Sequence, residues 1–478
     1  MADEPLLGRS RRLPTDSLPA HLASARGRWA ALILTTAACA IASGPVASWP
    51  TLEPMLLDAG VWESAGDAAA HANLDAVYGA SVAVQLGSSL PAGWIFDRYG
   101  GRVAALGGAL LAATGLLLMG AATCFPASFS WLLWLGYPTA MLGGQINSYG
   151  LFSFLWLLPD DQNLISSMVG GATALSDMLA LVAVGLNGCC GLFVGHFFVL
   201  LALLSVCSGA FSFAVCPTHA VCLKLASSVL AEAGTPAHGE REDAADDAQG
   251  TGNGDDDRLC GKEIDSVRSS WVLMKRHSGA NSLLIVFSIL YVMAMIYPNE
   301  QMFYYYKGLF ASKDTAVALV NVYAFMYGAA GFVCSLGGGK LCDYLGLEKF
   351  TQAAVWSVVV FAVIIPVRSV PVQVLAQVVM VVGMQLYMII VNRFAMLYAP
   401  PELFGTFGGV QFCFVSVGTL VGMMGVSAVL DGIASASAIK YQIPYVALSI
   451  GSATVGFVLV HFWRQHPPPR VGGLSADD

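Results

Sequence analysis

Gly93-Trp94-Ile95-Phe96-Asp97-Arg98-Tyr99-Gly100-Gly101-Arg102 closes one long apolar run of the chain, and Gly339-Lys340-Leu341-Cys342-Asp343-Tyr344-Leu345-Gly346 closes another. Both read Gly-x-x-x-Asp-x-x-Gly, and their aspartates stand 246 residues apart. One copy means little in a sequence with 51 glycines; two copies at the ends of comparable runs point to two related halves. The motif has a physical logic. Its first glycine lets a neighbouring membrane helix approach closely. Its aspartate, at a helix end, can accept hydrogen bonds from the open amides at the start of another helix, where the macrodipole favours an anion. Arg98 and Arg102 are placed to pair with acids on the same face. The second copy lacks that basic pair, so its contacts are expected to be weaker.

Working outward from the motif, the composition names the solvent. Of 478 residues, 56% are hydrophobic and only 11% charged, against about 25% charged in soluble domains. So few charges cannot cover a protein of this size in water, so lipid must cover it. Runs of about 20 apolar residues occur at Trp29–Ser48, Leu74–Phe96, Val103–Cys124, Ser130–Leu158, Leu164–Leu186 and Leu192–Cys216. After a polar interval they resume at Asn281–Tyr297, Ala316–Gly337, Thr351–Val367, Val370–Val391, Phe404–Leu430 and Tyr441–Trp463. The expectation is an all-α membrane protein of twelve transmembrane helices in two six-helix halves. Charge placement tests it independently: with both termini cytoplasmic, nineteen of the 23 Lys and Arg fall inside, as the positive-inside rule requires.

The expected organisation is a cytoplasmic N-terminal tail (1–28), a first half (29–216), a cytoplasmic loop (217–280), a second half (281–463) and a cytoplasmic C-terminal tail (464–478). Within the loop, 231–258 is acidic and too polar to bury a core, hence expected to be disordered. Beyond it Ile264, Val267, Trp271 and Met274 recur at helical spacing among basic residues, which reads as a short helix on the inner membrane surface or as a solvated linker. Eleven cysteines without a Cys-x-x-Cys pair signal neither a metal site nor a disulfide framework, and Cys189–Cys190 read as small buried hydrophobes. The first 28 residues are polar and basic, unlike a cleavable signal peptide. Nothing in the charge pattern calls for nucleic acid. Gly338-Gly339-Lys340 is followed by Leu341 where a phosphate-binding loop needs Ser or Thr. No catalytic constellation, cofactor motif or metal-ligand spacing is present, so an enzyme is not expected.

The paired motif resembles the hallmark of the major facilitator superfamily. The ends of helices 4 and 10 echo one another as well, in Asn147-Ser148-Tyr149 with Pro159 and in Asn392-Arg393-Phe394 with Pro400. Ser48-Trp49-Pro50-Thr51-Leu52, Asn392-Arg393-Phe394 and Phe404-Gly405-Thr406 are similar to phrases of the L-type amino acid facilitators and of related apicomplexan amino acid transporters. That resemblance implies a monomeric twelve-helix transporter whose halves rock about a central site. It further implies sodium-independent transport of neutral or cationic amino acids, nucleobases being carried by one member group. A nucleobase or other small-metabolite facilitator is therefore the same-class alternative, and a non-transporting receptor or scaffold the different-class one. The plasma membrane is the expected location and an endolysosomal or vacuolar membrane the alternative; Asp3-Glu4-Pro5-Leu6-Leu7 has the form of a dileucine signal. The motif residues Gly93, Asp97, Arg98, Gly100 and Arg102, with Gly339, Asp343, Gly346 and Arg393, are expected to latch the halves on the cytoplasmic side.

Candidate substrate contacts follow from the cost of polarity in lipid, about 2.5 kcal/mol or more for a charge at mid-membrane. Asp177 lies deep in helix 5, where it can hold a substrate ammonium, take a proton, or serve structurally with Ser176. Ser43, Gln85, Gln145, Asn147, Tyr291, Asn321 and Gln385 reach similar depths; helices 1, 4, 7 and 10 line the cavity in the family resembled. Ser43-Gly44-Pro45 should break helix 1, freeing backbone groups for a cavity. Tyr297–Gln301 and the aromatic run Phe303–Tyr306 read as an outer gate or an interfacial belt. Proton-coupled members of the superfamily commonly carry an arginine in helix 4; Ser130–Leu158 has no charge, which points to passive uniport.

Overall fold

The computed structural model describes residues 18–44, 48–232, 257–431 and 439–468. These are almost all helical, with no strand among them. Eight helices are long and apolar enough to cross a membrane. The helix Lys313–Ile364 has 52 residues, about 78 Å at ~1.5 Å per residue, more than twice the ~30 Å hydrocarbon layer. It turns at Gly346 (φ 74°, ψ 164°) and so crosses twice, as spans 8 and 9. Three further spans are each broken in two. Span 1 is Ala25–Ser43 and Trp49–Asp58, span 2 is Asp67–Gly87 and Ser89–Tyr99, and span 4 is Leu133–Ser148 followed by the 3-10 turn Tyr149–Phe154. The remainder are Gly101–Cys124, Gln162–Cys190, Val194–Val215, Ser278–Phe310, Val370–Tyr398, Phe404–Asp431 and Ile439–Gln465 (spans 3, 5, 6, 7, 10, 11 and 12). Twelve crossings result.

The last glycine of each motif copy has a role that the sequence reading did not give it. Gly100 (φ 81°) and Gly346 (φ 74°) adopt a backbone open essentially to glycine alone. Each stops an inner helix end and lets the next span restart on the following residue.

Side chains invert the usual rule of a soluble protein. Leu203, Val333, Val363 and Met424 are well exposed on a surface that lipid must cover. Within the first half, spans 3 and 4 approach at glycines: a Cβ on Gly108 would lie 2.2 Å from the Asn147 amide, and one on Gly115 2.3 Å from that of Ala140. Helix association in lipid depends on such close packing. Gly108→Val is therefore expected to cost about 2 kcal/mol or more and to lower the thermal unfolding midpoint in detergent; an unchanged midpoint would contradict this packing.

Several expectations need correcting. Span 7 runs on to Phe310, through Pro298, instead of ending at Tyr297, because in lipid a helix that stops leaves backbone groups unsatisfied. Cys189 and Cys190 are exposed at the outer end of span 5, not buried. A helix in the loop between spans 6 and 7, His219–Glu232, was not anticipated. The amphipathic helix is present as Asp257–Arg276, docked on span 11, where Trp271 stacks on Phe414 at 5.9 Å with Lys275 over its ring. The acidic stretch between these helices (233–256), Pro45 and the Asp3–Leu7 signal lie outside the described residues.

Candidate functional site

The halves meet along two seams, span 2 against span 11 and span 5 against span 8. Both inner ends are held by the motif. A Cβ on Gly93 would sit 2.0 Å from the Gly405 carbonyl oxygen, and one on Gly339 2.8 Å from that of Asn163, so each first glycine is a point of contact between halves. The amides of Gly405 and Thr406 donate to Asp97 Oδ1 and Oδ2 at 3.0 and 2.6 Å. They are open amides at the start of span 11, the anion seat that the motif's chemistry calls for. Its counterpart Asp343 accepts from the Asn163 side chain at the start of span 5, and Lys340 pairs with Asp161. Arg393 acts on Asp343 electrostatically.

The second copy thus has a basic residue of its own at work across the seam. Its ion pair is nevertheless open to solvent, Lys340 being 52% exposed, and exposed pairs contribute ~0–1 kcal/mol, less than two backbone amides on a partly buried carboxylate. Arg102 departs from expectation: it donates to the Cys216 carbonyl at 2.5 Å, within its own half. Arg98 lies over the Trp94 and Tyr99 rings.

At mid-seam, Asp177 is fully buried. Ser48, at the break in span 1, donates to the Asp177 carbonyl at 2.7 Å and faces Oδ1 at 3.2 Å. Ser176, the neighbour read as its structural partner, bonds the Thr173 carbonyl instead. Around the carboxylate stand aromatic rings from four other spans. Tyr78, Tyr137, Tyr323 and Tyr327 all lie in its electrostatic field. Trp49 stacks on Tyr78 at 5.1 Å and meets Tyr137 at 5.2 Å. Asn299 of span 7 donates to the Tyr78 hydroxyl at 2.8 Å, tying the second half to this cage. Two buried donors on the outer piece of span 1, Trp49 Nε1 and Thr51 Oγ1, find no acceptor among the described residues. That piece exists because the first helix stops at Ser43, Gly44 turns to φ 68°, and Pro50 starts a new helix. Just outward lies a cavity of about 210 Å³ lined by Thr51, Pro54, Asn187, Phe303 and Asn321 among others.

The other polar candidates divide. Asn321 lines the outer cavity. Gln385, on span 10, accepts from Ser335 at 2.6 Å and faces Gly170 of span 5 across the seam. Gln145, on span 4, donates to Ser89 of span 2 at 3.1 Å. These are equivalent pairs in the two halves, since Ser89 and Ser335 stand 246 residues apart as the motif aspartates do. Asn147 turns to the Ala105 carbonyl at 2.6 Å, and Tyr291 stacks on Tyr387 and faces Ser357, each inside its own half. Ser43 packs against Gly144 and beside Cys39, and Gln85 is partly buried on span 2. The structure does not gather these last four around Asp177.

Sequence reasoning missed the cage and, outward of it, Glu53 and His71; Glu300 and Tyr304 fall in the stretches Tyr297–Gln301 and Phe303–Tyr306 that it read as an outer gate or an interfacial belt. It ended span 1 at Ser48, so Glu53 counted as an outer-loop acid. The available signal was Ser48-Trp49-Pro50, a serine and an early proline of the kind that start helices.

The architecture is that of a major facilitator fold, an integral multi-pass membrane protein of two pseudo-symmetric six-helix halves. Two solved structures of XylE superpose on it: a double-tryptophan mutant (TM-score 0.64, 11% identity, 94% of this chain and 98% of that one) and the proton:xylose symporter bound to 6-bromo-6-deoxy-D-glucose (TM-score 0.62, 11% identity, 94% and 97%). No protein-family model and no curated protein sequence matches the chain.

Proposed function

We propose that this protein carries small molecules bearing an amino group, amino acids first, across a membrane by sodium-independent alternating access. The observation that carries this reading is Asp177, a carboxylate sealed among aromatic rings at the seam between two halves that must separate for anything to pass. A buried anion faced by tyrosine and tryptophan rings suits an ammonium group, which gains from both the charge and the ring faces. The carboxylate of an amino acid then falls to the unmatched donors Trp49 Nε1 and Thr51 Oγ1 and to the open amides where the outer piece of span 1 begins. A hexose is the second reading, favoured by the flat Trp49–Tyr78 stack and by the glucose analogue bound to the fold neighbour. It offers no charge to Asp177, so it ranks below.

The latch at the inner ends and the contacts at the outer ends describe an occluded arrangement, from which one end or the other must release. Transport is tested by reconstituting the purified protein in liposomes and measuring uptake of labelled amino acids, hexoses and nucleobases. Saturable amino acid flux is expected. Saturable flux of a hexose or nucleobase, with none for any amino acid, would overturn the amino-group reading; no flux of any of them would overturn transport itself.

A further inference from the structure

Outward of the cage, spans 1, 2 and 7 bring together a second polar cluster. Glu53, only 2% exposed, lies 2.9 Å from His71 Nδ1 and accepts from the Tyr304 hydroxyl at 3.2 Å, while Tyr304 also bonds His71. Glu53 and His71 belong to the first half and Tyr304 to the second, so this triad closes the seam at its outer end. Two more carboxylates join it from opposite halves, Asp75 on span 2 and Glu300 on span 7: Glu53 acts electrostatically on both, and Asp75 on Glu300. Asp75 Oδ1 is buried and has no hydrogen-bond partner among the described residues. The described groups that face the three acids are His71, which pairs with Glu53, and Tyr78, Tyr297, Tyr304, Tyr441 and Tyr445, on which the acids act electrostatically; no lysine or arginine is among them.

We propose that this cluster is a proton-binding site that works the outer gate, closing the seam when it holds protons and opening it when it loses them. The geometry supplies the reason. With all three acids ionised, one imidazole cannot neutralise them, and closing the halves presses Glu300 towards Asp75 and Glu53 while water leaves. A proton taken up from the outer solution removes one charge and supplies the O–H donor that the unmatched Asp75 oxygen lacks. Nothing is oxidised or transferred covalently; the proton comes from and returns to water.

The test reads the gate directly and does not depend on what is carried. In liposomes, with Cys189 and Cys190 replaced by serine, a cysteine is introduced at Val317, which lines the outer cavity. Its labelling by a membrane-impermeant maleimide is normalised to the same chain unfolded at the same pH. Labelling should rise about 5-fold between about pH 5.5 and pH 8.5, as loss of protons opens the gate. Glu300→Gln, which removes the repelling charge and keeps the shape, should hold labelling low and flat, and Asp75→Asn should do so independently if the first variant fails to fold. A flat response in the parent protein, or an undiminished rise in both variants, would overturn the proposal. A gate that responds in a protein carrying no amino acid would sink the substrate reading and leave this one standing.

Discussion

Asp177→Asn should reduce amino acid uptake by roughly 30- to 150-fold while the protein stays folded and monodisperse. The substitution keeps the volume and leaves Ser48 a partner, because its stronger contact is to the residue 177 carbonyl, at 2.7 Å. What it removes is the charge. A hydrogen bond to a charged group contributes about 1.5–3 kcal/mol, and a difference of about 2–3 kcal/mol is the fold-change stated above. The loss should be larger still where the aromatic cage excludes water, since the same charge interacts more strongly in a low dielectric. Initial uptake rates in liposomes check it. Rates equal to those of the parent protein would show that the carboxylate does not meet the substrate, and Asp177 would revert to a structural role between spans 1 and 5.

Asp97→Asn should shift the resting protein towards the state open to the cytoplasm. Both carboxylate oxygens of Asp97 are in use, each by an amide at the start of span 11. An asparagine offers one acceptor and points an N–H₂ group at the second amide. It also withdraws the negative charge from a helix N-terminus, worth up to about 2 kcal/mol in a partly buried site. Together these cost about 2–3 kcal/mol, enough to change the ratio of closed to open roughly 30-fold or more. The inner end of span 5 retains its own contacts through Asp343 and Lys340, but they are exposed and weaker. Cys413 is a built-in reporter, because its thiol donates to the Gly87 carbonyl in the seam between spans 2 and 11. Its alkylation by a permeant maleimide, followed by mass spectrometry, should speed up in the variant. An unchanged rate would mean that Asp97 is not what holds the inner seam.

How much of this was legible in the sequence differs from one end of the molecule to the other. The contacts of the paired motif were legible because they are written locally: a glycine, an aspartate and a second glycine at fixed spacing, repeated 246 residues on. Only the partners were hidden, and physical chemistry named their type, amides at a helix start. The outer cluster had no such signature. Glu300 and Tyr304 fell in the stretch read as an outer gate, but Glu53 and His71 sit in two other spans at no fixed spacing, and each alone resembles an ordinary residue near a membrane surface. The span boundaries compounded this. Span 7 was expected to end at Tyr297 and span 1 at Ser48, yet the helix continues through Pro298 and, after the expected break at Gly44, restarts at Trp49, carrying Glu300 and Glu53 into the seam. Asp177 therefore does not stand alone in the membrane interior, as its isolation in helix 5 had implied.

The sequence by itself determined the solvent, the number of crossings and the division into halves. Each of these depends on quantities that add along the chain, such as apolar length, scarcity of charge, and a repeated motif. Only the tertiary structure decided which polar and aromatic side chains face each other. Tyr78, Tyr137, Tyr323 and Tyr327 lie on three spans within the field of Asp177 on a fourth, and Trp49 joins them from span 1 by stacking on Tyr78, through packing set by which helix faces meet. The apolar pattern of a membrane helix cannot encode that choice, because lipid on one side and protein on the other accept the same residues.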